Sequence, residues 1–453
     1  MNSTSGDSGL LRAGDVRVAG TRRFTGTRRQ PWIELVALAL AGAVLGYLVK
    51  IPCRFGGGWL SAGRQHEYGC YSDIFPLYFR DGLDTGVLPY LERPVEYPVL
   101  IGGLMHVIAR AVAWLPDEQT RASGYFDLTA LVLGACLVVV AVNTGLLAGH
   151  GGISAEGRPF DRKAALLAGG FTAVAPAAFL TAYINWDLLA AALLAGGLLC
   201  LARGRQWAGG AFIGLATAAK FYPFLVFGPL LVLAIRECLR KEGGFTAGDF
   251  LRPLGGAAIA WTAVNLPVYL AAPEGWATFF RFSRERVVDW GSAYYVLGSF
   301  GLFDAGNRDL VNLTGMVALA VACAGIAVLG VAARRPPRPE QLVFLVVAAF
   351  VVTNKVWSPQ FVLWLIPLAA LAWPRTVPFW GTAVAFGLWQ LAEIGYFFGI
   401  WQHLLYITLQ AEGVSGGLGP GGYAAVALGR PATVLGVCVL TVADCLRNAD
   451  SGG

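Results

Sequence analysis

The run WIELVALALAGAVLGYLVKI at residues 32–51 contains two charged side chains, and apolar runs of comparable length recur along the chain. A bilayer core of about 30 Å requires about 20 apolar residues of helix. Inside that core each backbone N–H and C=O must be satisfied within the helix, because no water is there to do it. The recurrence restricts the chain to an all-α, polytopic membrane fold. Only 14% of its 453 residues are charged, where a soluble domain carries about a quarter. Spans are expected at 32–51, 125–148, 164–182, 186–202, 207–220, 223–239, 254–271, 310–333, 341–354, 358–373, 377–398 and 426–445, about 12 transmembrane helices in all.

Positive charge sets the orientation. The segment 98–114 is also apolar but carries His106 and Arg110. Suppose it lies in the interface, or dips in and returns. Then the Arg residues ahead of Trp32 and the clusters at Arg158/Arg162/Lys163, Arg203/Arg205, Arg236/Arg240/Lys241/Arg252, Arg334/Arg335/Arg338, Arg375 and Arg447 all face the cytoplasm. If it crosses, each cluster after the first moves outside. The first arrangement is expected, with both termini cytoplasmic. The chain then divides into a disordered cytoplasmic N-terminus (1–31), a transmembrane domain (32–445) whose first external loop is 52–124, and a cytoplasmic tail (446–453). The net charge of +6 sits in these loops and signals topology and lipid headgroups rather than a nucleic-acid partner. No CxxC pair and no metal-ligand spacing occurs among the eight cysteines, so neither a metal site nor a cofactor is expected, and a requirement for a divalent metal stays open. Cys53 and Cys70 flank the first external segment, where an oxidising environment would permit a disulfide.

The loop 52–124 concentrates acids that a bilayer protein has no structural need for: Asp73, Asp81, Asp84, Glu92 and Glu96. Asp73 could act as a general base at the membrane boundary or cap the helix that follows it, a service Ser72 also offers. Asp187, in YINWDLL, could complement a helix dipole or, with Asn185 and Trp186, bind sugar hydroxyls. Lys220 (AAKFYPF) and Lys355 (NKVWSPQF) sit at external junctions against the positive-inside bias. They could snorkel to headgroups or, with Arg286 in RFSRERVVDW, form a phosphate site. Glu96, Tyr222, Trp357 and Gln360 lie beside these groups and are candidates for sugar or acceptor binding. Glu393, inside a span, is expected to face the bundle interior, and His403 to be interfacial. P-loop, GxGxxG and GxSxG motifs are absent.

Read together, YSDI, GVLPY, VEYPVL, YINWDLLA, AAKFYPFLVFGPLLVL, FSRERVVDWGSAYY and NKVWSPQFVLWLIPL resemble glycosyltransferase family 87 of the GT-C superfamily. These are actinobacterial enzymes that use polyprenyl-phosphate sugars. Some elements also resemble the first mannosyltransferase of GPI-anchor synthesis, although Ile74 and Phe75 follow Asp73 where that enzyme has an acidic pair. The resemblance implies a GT-C fold and an inverting transfer, at the outer face of the plasma membrane, of mannose or arabinose. The donor is a polyprenyl-phosphate sugar and the acceptor a hydroxyl of a glycolipid or glycan. Asp73 is the residue that matches the family's base. A lipid or solute transporter is the alternative from another class. Against it, no internal repeat is evident and the ionisable groups lie at one rim rather than at mid-depth.

Overall fold

The computed structural model describes residues 30–60, 63–154 and 159–447. Nearly all of the N-terminus expected to be disordered, most of the C-terminal tail, and Arg158 lie outside the described residues. The named elements are all helical. Helix α1 (Trp32–Arg54) leads into a section carrying α2 (Arg64–Glu67), α3 (Ile74–Arg80) and α4 (Val99–Val112). The chain continues through α5 (Glu118–Gly149), α6 (Arg162–Val174), α7 (Pro176–Thr181), α8 (Asp187–Ala202), α9 (Gln206–Ala219), α10 (Phe227–Arg240) and α11 (Ala247–Ala271). A second such section holds α12 (Pro273–Glu285) and α13 (Ala293–Ser299), followed by α14 (Arg308–Ala332), α15 (Pro339–Thr353), α16 (Val362–Leu371), α17 (Phe379–Ala411) and α18 (Pro420–Arg447).

Among the described residues, eight helical segments are long and apolar enough to cross a bilayer. They are α1, α5, the α6–α7 pair, α10 with the 3-10 turn before it, α11, α14, α17 and α18. The shorter α8, α9, α15 and α16 bring the membrane-depth segments to the expected twelve. Helix α4, at 14 residues, reaches about 21 Å at 1.5 Å per residue. It packs on α5, α9 and α11. The Tyr90 hydroxyl holds its start by donating to the carbonyls of Tyr97 and Pro98 at 2.9 and 2.8 Å.

Several boundaries differ from the sequence expectation. Helix α5 begins at Glu118, inside the segment assigned to the external loop, because the Asp117 carboxylate caps it by accepting from Thr120 N at 2.8 Å. The expected span 164–182 is broken in two. Pro176 lacks an N–H and forces Ala175 out of the helical region (ψ 130°). Helix α17 runs on to Ala411, well past the expected end at 398.

The short helices shape one end of the bundle. Asp187 opens α8, Lys220 follows α9, Asn354 follows α15, and the turn Pro359–Phe361 precedes α16. All four helices stop short on the same side, leaving a recess among longer neighbours. The opposite end collects the basic loops. There Arg236 donates to the carbonyls of Gly330 and Ala333 at 3.1 and 2.7 Å, and Arg338 to that of Trp373 at 2.7 Å.

Close helix contact behind the recess depends on glycine. A Cβ at Gly214 of α9 would overlap the Ala257 carbonyl of α11, whereas one at Gly325 of α14 would meet nothing. Gly214→Val is therefore expected to lower the thermal unfolding midpoint in detergent, costing about 1–3 kcal/mol by overpacking. Gly325→Val should leave the midpoint close to wild type.

Candidate active site

Asp73 stands at the start of α3, yet its side chain makes no capping bond. The Ser72 hydroxyl takes that place, 3.3 Å from Ile74 N. Freed from capping, the Asp73 carboxylate accepts from the Tyr71 hydroxyl at 2.6 Å and from Asn185 Nδ2 at 3.2 Å. Its backbone N–H donates to Ile184 O at 2.7 Å, and Ser72 Oγ to Tyr183 O at 2.8 Å. The loop between α7 and α8 thus fixes both the backbone and the carboxylate. Burial pushes the Asp73 carboxyl above its ordinary range, against the opposing hydrogen bonds from Tyr71 and Asn185 and the field of Lys220. The charge on Asp73, followed by burial, holds the Tyr71 phenol well above its usual value, so it stays a proton donor to the carboxylate.

A cavity of about 770 Å³ opens in front of Asp73. Of the candidates named from sequence, Asp73, Glu96, Asn185, Lys220, Tyr222, Arg286 and Gln360 all line it. Glu96 is ion-paired to Arg80 at 3.1 Å. Four lining groups, the Tyr222 hydroxyl, Gln360 Oε1, His66 Nδ1 and Trp401 Nε1, are buried without a protein partner. A buried polar atom left unpaired is costly, so these four mark positions where a bound ligand would supply the missing hydrogen bond.

Three candidates lie elsewhere. Asp187 is fully buried beneath the cavity, accepting from Trp364 Nε1 at 2.8 Å and pairing with Lys220 Nζ at 3.5 Å. Its geometry suits holding Lys220 rather than touching a sugar. Trp357 is not a lining residue: its ring is covered by the Arg430 guanidinium at 4.4 Å. Lys355 is not a lining residue either, since its Nζ donates to Arg284 O at 2.8 Å. Burial, then the neighbouring Arg286 and Arg308, holds the Lys355 ammonium below its ordinary range. The three expected cations therefore do not meet at one point. Lys220 and Arg286 face the cavity, and Lys355 stands beside Arg286 in a cationic rim.

Other cavity residues escaped the sequence reading. Tyr71, two residues before Asp73, is the carboxylate's closest partner. Asp289 lines the cavity and accepts from Ser358 Oγ at 2.8 Å. Trp364 stacks on Tyr222 with centroids 4.2 Å apart. Arg430 is fully buried in α18 and pairs with Glu393 at 2.7 Å. It also donates to the carbonyls of Trp357 and Ser358 at 2.9 and 3.1 Å, pinning the loop that carries Gln360. A lone Arg within an apolar span was the available signal, because such a residue needs a partner. Glu393 does face the bundle interior. His403 is buried between Tyr295 and Leu418 O, 2.9 Å from each. Among the described residues, no group of three or more His, Cys, Asp or Glu side chains converges. Cys53 and Cys70 form a disulfide.

A profile for glycosyltransferase family 87 matches residues 97–359. No curated protein matches the chain. Among solved structures, ArnT from Cupriavidus metallidurans bound to undecaprenyl phosphate is similar at 17% identity and TM-score 0.43, over 92% of this chain and 78% of that one. The apo oligosaccharyltransferase of Archaeoglobus fulgidus is similar at 15% identity and TM-score 0.36, over 92% of this chain and 56% of that one.

Breaking the Glu393–Arg430 pair should leave one buried charge uncompensated. Arg430→Met is expected to cost about 3–5 kcal/mol, read from thermal unfolding. A Glu393→Leu/Arg430→Met double variant should recover much of that loss, because neither charge is then stranded.

Proposed function

From the premise that this chain belongs to glycosyltransferase family 87, we propose that it is an inverting mannosyltransferase. It moves mannose from a polyprenyl-phosphate donor to a hydroxyl of a glycolipid or glycan at the extracytoplasmic face. The observation that carries this reading is the meeting of Asp73, Lys220 and Arg286 around one cavity. That is a base and two cations in a recess at one end of a membrane bundle. The basic loops gathered at the other end support a cytoplasmic assignment for that end, and so an outward-facing cavity with both termini inside.

The chemistry follows from these positions. The acceptor hydroxyl passes its proton to Asp73 while its oxygen forms the new bond to the anomeric carbon. The bond from that carbon to the phosphate oxygen breaks, and polyprenyl phosphate leaves with the electron pair. Attack opposite the leaving group inverts the anomeric centre. Negative charge grows on the departing phosphate, where Lys220 and Arg286 would stabilise it most in the transition state. A carboxyl raised by burial is the stronger base once ionised. Asn185, Tyr222, Gln360 and Glu96 would bind sugar and acceptor hydroxyls. Asp187 acts through Lys220, Trp357 through the loop it anchors, and Lys355 by reinforcing Arg286.

Radiolabelled transfer from polyprenyl-phosphate mannose, in membranes carrying the protein, tests this directly. Asp73→Asn is expected to lower turnover by about 10²–10⁴-fold, the usual worth of a general base, with the protein still folded and donor binding largely kept. For the wild type, activity should fall on acidification as Asp73 takes up a proton, with the midpoint above the ordinary carboxylate range because burial raises that carboxyl. Transfer of arabinose but not mannose would replace the sugar. Absence of transfer from either donor would overturn the reading. Mass spectrometry of envelope glycolipids from a deletion strain should show a species lacking one sugar.

A further inference from the structure

The last turn of α1 lies against the segment that carries Asp73. Lys50, just before that turn, has no exposed surface, and its Nζ donates to Tyr71 O at 2.7 Å. Cys53, three residues on and so on a neighbouring part of the same helix face, is bonded to Cys70. Helix α1 thereby grips residues 70 and 71. The next two positions are gripped from the opposite side, Ser72 by Tyr183 O and Asp73 N–H by Ile184 O, at 2.8 and 2.7 Å. Four consecutive residues are held, and the carboxylate at their end is held again by Tyr71 and Asn185.

A neutral side chain could donate one hydrogen bond to a carbonyl. An ammonium stripped of water is a costly way to do so unless its charge is used. The charged group whose field acts on Lys50 is Asp73. The other groups around that carboxylate are the Tyr71 and Tyr97 phenols on the external section, Asp187 at the start of α8, and Lys220 after α9. Asp289 acts on Tyr71 from across the cavity. Lys220 is engaged with Asp187 and faces the cavity, where a substrate phosphate would compete for it. Lys50 is buried and does not line the cavity.

We infer that Lys50 is a positioning residue for Asp73: it tethers the carbonyl of Tyr71, the residue whose hydroxyl holds the carboxylate. The inference rests on the reading of Asp73 as the base. Asp73 is thus held in place from behind, while the Cys53–Cys70 disulfide fixes the residue before Tyr71.

Two variants of the full chain, Lys50→Met and Lys50→Gln, separate tether from charge. Lys50→Met should be no less thermally stable than wild type, because a desolvated charge is replaced by an apolar chain of similar length. Its amides over residues 71–77 should nevertheless exchange faster with solvent. Turnover should fall about 10- to 100-fold, the scale set by small misplacements of a reacting group. Lys50→Gln keeps an N–H for Tyr71 O, so it should recover most of the amide protection and rate. A purely structural lysine gives a different pattern: Lys50→Met loses stability, yet its folded molecules keep the wild-type rate. That result overturns the inference, as does equal loop exchange in Lys50→Met and wild type. If wild type transfers no sugar, the functional reading fails, and the exchange and stability measurements still decide the tether.

Discussion

A charge placed below the surface of a bilayer must be paired, and the arrangement of this molecule's functional end follows from that constraint. Asp187 is matched by Lys220 at 3.5 Å, Glu393 by Arg430 at 2.7 Å, and the Asp73 carboxylate by Tyr71 and Asn185. Each match joins elements far apart in sequence, so satisfying a charge also fixes a loop. Arg430 shows this most clearly, since one guanidinium answers Glu393 and also holds the backbone between α15 and α16. The opposite end follows the same rule. Asp444 has no exposed surface and accepts from Gln341 Nε2 at 2.7 Å and from the backbone of Arg375 and Thr376 at 2.8 and 2.7 Å.

The same constraint favours chemistry. Charges held in a dry recess do not reorganise when a substrate arrives, and their fields are weakly screened. Four short helices lower the floor of that recess into the bundle. A carboxylate and two cations share its wall, and under the proposed function a sugar with a lipid-borne phosphate could reach all three without leaving the membrane. Burial then does two things to Asp73: it raises the carboxyl, and it makes the surrounding hydrogen bonds and cations decisive for how much of it is ionised.

The twelve membrane-depth segments were legible because apolar runs report burial in lipid directly. Their ends were less so. The extension of α5 to Glu118 depends on Asp117, a cap whose signal is one residue wide, and the break at Ala175–Pro176 is hidden inside an apolar run. At the site, Asp73, Lys220 and Arg286 stood out because charge is scarce in this chain. Asp187 stood out for the same reason, but sequence could not separate a charge that faces the cavity from one that holds its neighbour. Lys50 and Arg430 passed unnoticed inside apolar spans, and the partners that explain them come from distant parts of the chain. Pairing across a fold leaves no local pattern. Trp357 and Lys355 share a motif with Gln360, yet only Gln360 turns toward the cavity.

The central claim is that this cavity receives the donor phosphate opposite Asp73. A cryo-EM map of the protein with a non-transferable phosphonate analogue of polyprenyl-phosphate mannose tests it most directly. The account predicts the phosphonate between Lys220 and Arg286, with the anomeric carbon turned toward Asp73. Density for the phosphonate at the opposite end of the bundle, among Arg236, Arg338 and Arg375, would contradict it.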